Sequence, residues 1–106
     1  MRRITEQSIK AFANGQNFKK SNMKVRNVNG IRKLYLFDNL IAEMKGNKLK
    51  IYDGGFQSVT TKERLNGLLY EYSLNKFIFQ KDFDWYIGND HKTAKVWHKA
   101  KKEFNL

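Results

Sequence analysis

The chain has 106 residues, 41% of them hydrophobic, which is enough for one domain around one hydrophobic core and is a folding rather than a disordered composition. It carries 21 Lys/Arg against 10 Asp/Glu, a formal net charge of +11, with no proline and no cysteine. That excludes a disulfide framework, thiolate chemistry and cysteine-ligated zinc, and no stretch approaches the roughly 20 apolar residues of a membrane span.

Charge is unevenly distributed. Residues 1–37 hold nine cations and one acid, residues 38–90 hold seven cations and eight acids, and residues 91–106 hold five cations and one acid. Two basic ends therefore flank a nearly neutral middle. Clustered like charge is tolerated best where an anionic partner neutralises it. No secretory signal is expected, since Met1-Arg2-Arg3-Ile4-Thr5 has no apolar run behind its charges.

In chain order, a first helix is expected at about 5–14, with Thr5 as N-cap and Asn14-Gly15 as stop. From residue 22 the period changes to two. Met23 and Val25, then Leu34 and Leu36, then Leu40, Ala42 and Met44, then Leu49 and Ile51 alternate with polar residues. Turns are expected at Asn29-Gly30, Asp38-Asn39 and Gly46-Asn47. Four runs joined by tight turns read as an antiparallel meander with Lys24, Arg26, Lys33, Lys48 and Lys50 on its outer side. Phe18 is expected to tuck under the following loop.

A second helix is expected at about 61–72, capped by Thr60 with Glu63 completing a capping box and Leu65, Leu68, Leu69 and Tyr72 facing the core. Residues 77–79 and 83–87 read as a hairpin. The segment 90–104 is expected to form a third helix capped by Asp90, docked through Val96, Trp97, Ala100 and Phe104. Lys92, Lys95, Lys99 and Lys102 would then share its opposite face. The expected class is α+β, a curved antiparallel meander with helices in the order α-β-β-β-β-α-β-β-α. Residues 1–89 would form the domain, and 90–106 a basic amphipathic helix upon it.

Residues 9–88 resemble a family of small phage proteins through Leu36-Phe37-Asp38-Asn39-Leu40-Ile41-Ala42, Gly54-Gly55-Phe56, Thr60-Thr61-Lys62-Glu63-Arg64-Leu65-Asn66 and Gln80-Lys81-Asp82-Phe83-Asp84-Trp85-Tyr86. Such proteins typically read Leu-His-Gly-Asn-x-Ile-Ala, Gly-Trp and Thr-Thr-Arg-Glu-Arg-Leu-Asn. Here Phe37-Asp38 stands for His-Gly, Phe56 for Trp and Lys62 for the first Arg. The resemblance implies a phage or mobile-element origin and the host cytoplasm as workplace, and it brings no activity with it. Arg64 and Asn66 are the two motif residues that capping and burial leave unexplained. Arg64 has two readings, a contact to phosphate or a protein carboxylate of a partner, or an ordinary salt bridge to Asp53 or Glu71.

Catalytic constellations are not found. His91 and His98 lack the further ligands a zinc site requires. Asp82-x-Asp84 fits a turn that bonds its own backbone, and neither Ser58 nor Ser73 has a base and an orienting partner. No catalytic residue, metal or other cofactor is expected, and the chain reads as a binder rather than an enzyme.

Two partner classes follow. One is nucleic acid, DNA or RNA, bound through Lys92, Lys95, Lys99, Lys102, Arg2, Arg3, Lys19, Lys20, Lys24, Arg26, Lys48, Lys50 and Arg64, with Tyr35, Tyr52 or Trp97 available for base stacking. Backbone-directed contact of this kind gives dissociation constants on the order of 10⁻⁴ to 10⁻⁶ M at physiological salt. The other is a host nucleoprotein complex, a defence or transcription assembly that the chain would inhibit.

Overall fold

A computed structural model describes residues 2–55, 57–97 and 101–106. Its elements are α1 (Arg3–Ala13), β1 (Phe18–Lys20), β2 (Met23–Val28), β3 (Ile31–Leu36), β4 (Asn39–Lys45), β5 (Lys48–Tyr52), α2 (Val59–Glu71), β6 (Phe77–Lys81), β7 (Asp84–Gly88), β8 (Lys95–Val96) and β9 (Lys101–Asn105). The class is α+β with an antiparallel meander, as the alternation predicts. A six-stranded sheet runs β1-β2-β3-β4-β5-β9, and a three-stranded sheet runs β6-β7-β8.

Alternation builds the large sheet. Val25, Leu34, Ala42 and Ile51 are cross-strand neighbours on its inner face, all buried. They join Ile9 and Phe12 of α1, Leu65, Leu68 and Leu69 of α2, and Ile78, Trp85, Ile87 and Trp97 in one core. Asn29 and Gly30 both take positive φ, the type I′ geometry that Asn-Gly favours. Phe18 is not tucked under a loop but pairs with Val25 in β1, a strand the alternation did not reveal.

Two turn details differ from expectation. The β3–β4 turn is Phe37-Asp38, both at positive φ, one residue earlier than Asp38-Asn39. A β-bulge then follows. Leu34 faces Ala42 but Tyr35 faces Leu40, so Ile41 is the extra residue. Ile41 and Ala42 are consecutively buried, and Leu40 lies on the outer side instead of the inner.

Both helix starts also shift. Ser58, not Thr60, caps α2, accepting from the Thr61 amide at 3.0 Å. The first helix begins at Arg3 without a side-chain cap, and Thr5 is buried inside it. The reason is a polar node between the helices. Thr5 Oγ1 donates to the Glu63 carboxylate at 2.7 Å, and Arg64 Nη1 donates both to Thr5 Oγ1 at 2.9 Å and to Glu63. Arg64 Nη2 reaches Asn22 Oδ1 at 3.2 Å and Nε contacts Met23 Sδ at 3.4 Å. One guanidinium thus joins α1, α2 and the entry to β2. Asn66 has a different task. Its amide accepts from the Ile78 N–H at 2.7 Å and donates to the Ile78 carbonyl at 2.9 Å, occupying the edge of β6 as a neighbouring strand would.

The expected C-terminal helix is replaced by strands. Asp90 does cap a turn, accepting from the Lys92 and Thr93 amides at 2.9 and 2.8 Å, but that turn ends at Ala94. Residues 101–105 pair with β5 instead, setting Phe104 beside Leu49. An isolated short helix is marginal in water. The exposed edge of β5 offers five residues of ladder bonding and sets Phe104 beside buried Leu49. Edge pairing wins.

Replacing Arg64 with Ala leaves the Glu63 carboxylate and Thr5 hydroxyl without their shared donor, and should lower stability by about 3 kcal/mol in urea unfolding. Burial by itself would raise the Glu63 pKa. Hydrogen bonds from Thr5, Arg64 and the Arg2 amide, with the Arg64 charge, outweigh it and hold the pKa below its usual 4.5. The resulting stability is complete above that value and is lost as pH falls through the lower folded one. Glu63→Gln should therefore flatten the acid limb of stability against pH, read by thermal unfolding across buffers.

Candidate nucleic-acid interface

Because one face of the large sheet is dried by both helices and the small sheet, every alternate residue of its strands must face water. The register collects those residues into rows. Arg26, Lys33, Glu43, Lys50 and Glu103 run in line across five strands. Beside them run Ile31, Lys45, Lys48 and Asn105, while Lys19, Lys24 and Tyr35 form a third row and Tyr52 faces Lys101. The outer face thus holds Lys19, Lys24, Arg26, Lys33, Lys45, Lys48, Lys50 and Lys101 beside Glu43 and Glu103 of its strands, and Asp38 reaches Lys24 from the β3–β4 turn.

Three pairs are directly opposed like charges, Lys19 with Lys24, Arg26 with Lys33 and Lys45 with Lys48. Such pairing is unfavourable within a sheet. Internal neutralisation is partial. Lys24 meets Asp38 at 3.2 Å and Lys33 meets Glu43 at 3.9 Å. Glu103 serves Lys101, Lys48 and Lys50 at 3.3, 3.9 and 4.0 Å. Its pKa is lowered, first by the hydrogen bond from Lys101 and then by the surrounding ammonium charge. These exposed pairs are individually weak. Among the described residues, Lys19, Arg26 and Lys45 have no ion-pair partner.

Two tyrosines lie within this field. Lys24 Nζ sits 4.8 Å from the Tyr35 ring centroid, a cation–π contact. Partial burial, then Glu43 and Glu103, raise the Tyr52 pKa, so its phenol keeps its proton. Trp97 is core, packed 5.7 Å from Trp85, and not available for stacking.

The residues expected to bind separate into groups. Lys19, Lys24, Arg26, Lys48 and Lys50 are brought together on the outer face. Lys20 points to the inner side, bonding Gln7 of α1 at 3.2 Å. Arg2 and Arg3 are exposed at the start of α1. Arg64 is 1% exposed with its donors engaged, so it is neither a surface phosphate contact nor a bridge to Asp53 or Glu71. The expected lysine row on a C-terminal helix does not form: Lys92 is in the loop before β8, Lys95 is in β8 and Lys102 is in β9. Lys99 lies outside the described residues.

Lys45 and Lys101 are members of the face that the residue-by-residue reading missed. Lys45 was recoverable, being two places from the outward Glu43. Lys101 was not, because its orientation exists only once β9 joins β5.

A second surface is aromatic. On the outer side of the small sheet, Phe79 stacks on Tyr86 with centroids 5.4 Å apart, and His91 sits 4.4 Å from Phe79 and 5.3 Å from Phe77. At the adjoining hairpin tip Phe83 has φ +72° and is 92% exposed. No helix among the described residues is long and apolar enough to cross a membrane.

No curated protein and no solved structure matches the chain. A family model described as Kyanoviridae Gp96 protein matches residues 1–105, which takes in the C-terminal basic segment as well as the 9–88 span of the sequence resemblance. The chain belongs to this family of phage proteins.

Proposed function

We propose that this chain is a non-enzymatic phage accessory protein that binds nucleic acid, DNA or RNA, through the outer face of its six-stranded sheet in the host cytoplasm. The observation that carries the reading is the register, which opposes cations to cations three times on one face, where among the described residues three carboxylates, Asp38, Glu43 and Glu103, pair with its lysines. A polyanion laid across the strands relieves that repulsion and releases its own counterions. Six strands about 4.8 Å apart span roughly 24 Å. That is the length of about seven phosphates along one strand of a duplex. The contact is with phosphates, which rows of lysines on a broad sheet face reach from outside the grooves.

A second reading, an inhibitor that grips a host defence or transcription complex by protein contact, is favoured by one observation. Phe83 is almost wholly exposed in a backbone conformation that suits glycine, beside the ring cluster of the small sheet. Aromatic side chains in such positions are typical anchors of protein interfaces.

Titration with labelled duplex and single-stranded oligonucleotides across salt tests the first reading. Replacing Arg26, Lys33 and Lys45 together with Gln should weaken binding and reduce the slope of log affinity against log salt by about 2 to 3, at roughly 0.7 to 0.9 per lost phosphate contact. Replacing Lys10 and Lys62, on the helices, should change neither. Oligonucleotides ignored even at low salt, with one host complex retained from lysate, would transfer the case to the second reading.

Glu103→Gln supplies the opposite sign. It removes the carboxylate that three outer lysines share, so oligonucleotide affinity should rise and the salt slope steepen. Weaker binding by this variant would show that the ordered ion-pair cluster, not its net charge, makes the contact.

A further inference from the structure

The inner faces of the two sheets contain an irregularity that the outer-face reading leaves unused. In the large sheet the row Leu34, Ala42 and Ile51 is continued on β9 by Lys102, directly opposite Ile51. In the small sheet the row Ile78 and Ile87 is continued on β8 by Lys95, directly opposite Ile87. Each sheet thus ends an apolar row with a lysine on its inner side at the solvent margin, Lys102 half-buried and Lys95 exposed. Both lysines line one cleft of about 330 Å³, together with Lys76. Lys76 is held there by a 3.1 Å hydrogen bond from its Nζ to Asn89 Oδ1.

Among the described residues, none of the three ammonium groups pairs with a carboxylate. Glu103 also lines the cleft, but its carboxylate is engaged by Lys48, Lys50 and Lys101 on the opposite face of the sheet. Asp90, at the neighbouring loop, is occupied by Lys92 and Thr93 amides and the Thr93 hydroxyl. The loop is pressed onto β7 so closely that a Cβ on Gly88 would lie 2.6 Å from the Ala94 Cα. The cleft wall is therefore built by packing, not by a loose connection.

We infer that this cleft is a second, discrete anion site, taking a phosphate group between Lys76, Lys95 and Lys102. Three cations from separate segments around a small concave volume suit a compact multivalent anion, whereas the outer face suits an extended one. The half-buried position of Lys102 strengthens its charge interaction relative to a fully exposed lysine. Phe104 and Ile87 give the cleft an apolar flank for the organic part that bears the phosphate. That part is either a nucleic-acid strand end or a free phosphorylated small molecule.

Amide-resolved NMR titration of the full chain with pyrophosphate is the test. Saturable shifts confined to residues 76, 87–95 and 102–104 are expected. Lys95→Gln and Lys102→Gln should each lower affinity roughly tenfold or more, the loss of one charged hydrogen bond. Lys10→Gln, on α1, should leave it unchanged. The amide spectrum of each variant reports whether the fold is intact, and exposed Lys95 provides the variant least able to disturb it. Tighter binding of a 5′-phosphorylated oligonucleotide than its 5′-hydroxyl twin, abolished in Lys102→Gln, would assign the site to strand ends. Equal binding of the twins with pyrophosphate still saturating would assign it to a small molecule. Shifts spread over the outer face, or indifference to Lys95 and Lys102, would overturn the site.

Discussion

A sheet covered on one side only imposes a constraint on every residue in it. Side chains alternate, so a strand that buries Met23 and Val25 must expose Lys24 and Arg26, and the same holds for each partner strand in register. The rows of cations on the outer face are a consequence of burying the rows of aliphatics beneath them. Slipping one strand by a residue would bury ammonium groups and expose the core, which fixes the register and with it the charge pattern. The bulge at Ile41 absorbs a break in strict alternation in β4.

The motif stretch around residues 58–66 contributes architecture and not chemistry. Ser58 and Thr61 begin α2, Glu63 and Arg64 bind Thr5 across to α1, Leu65 fills the core, and Asn66 serves as a surrogate strand edge for Ile78. A buried ion pair is often no more stabilising than an apolar substitute. Here the guanidinium and carboxylate tie α1, α2 and the β1–β2 turn together. That arrangement covers the inner face of the meander and so decides which face is left to water.

Two cation-bearing surfaces of different shape result. The outer face is wide and lightly self-neutralised, and supports the nucleic-acid reading proposed for this Kyanoviridae Gp96 family member. The inter-sheet cleft is small and concave, with cations drawn from three segments. They share β9, whose alternate residues Lys101 and Lys102 point to opposite sides and whose Glu103 belongs to the outer face. A single edge strand therefore contributes to both surfaces.

Much of this was legible in the residues, because local patterns are governed by local physics. Period-two alternation, Asn29-Gly30 and the helical spacing of Leu65, Leu68 and Leu69 specified the meander and α2. They also placed Lys24, Arg26, Lys33, Lys48 and Lys50 on one face. Other features depended on partners distant in sequence. Whether Thr5 caps a helix or bonds Glu63, and whether Arg64 is exposed or buried, depends on two helices meeting across 58 residues of chain. The C-terminal segment reads in a local window as an amphipathic helix. The unpaired backbone edge of β5, absent from any local window, made it a strand and divided its lysines between two surfaces.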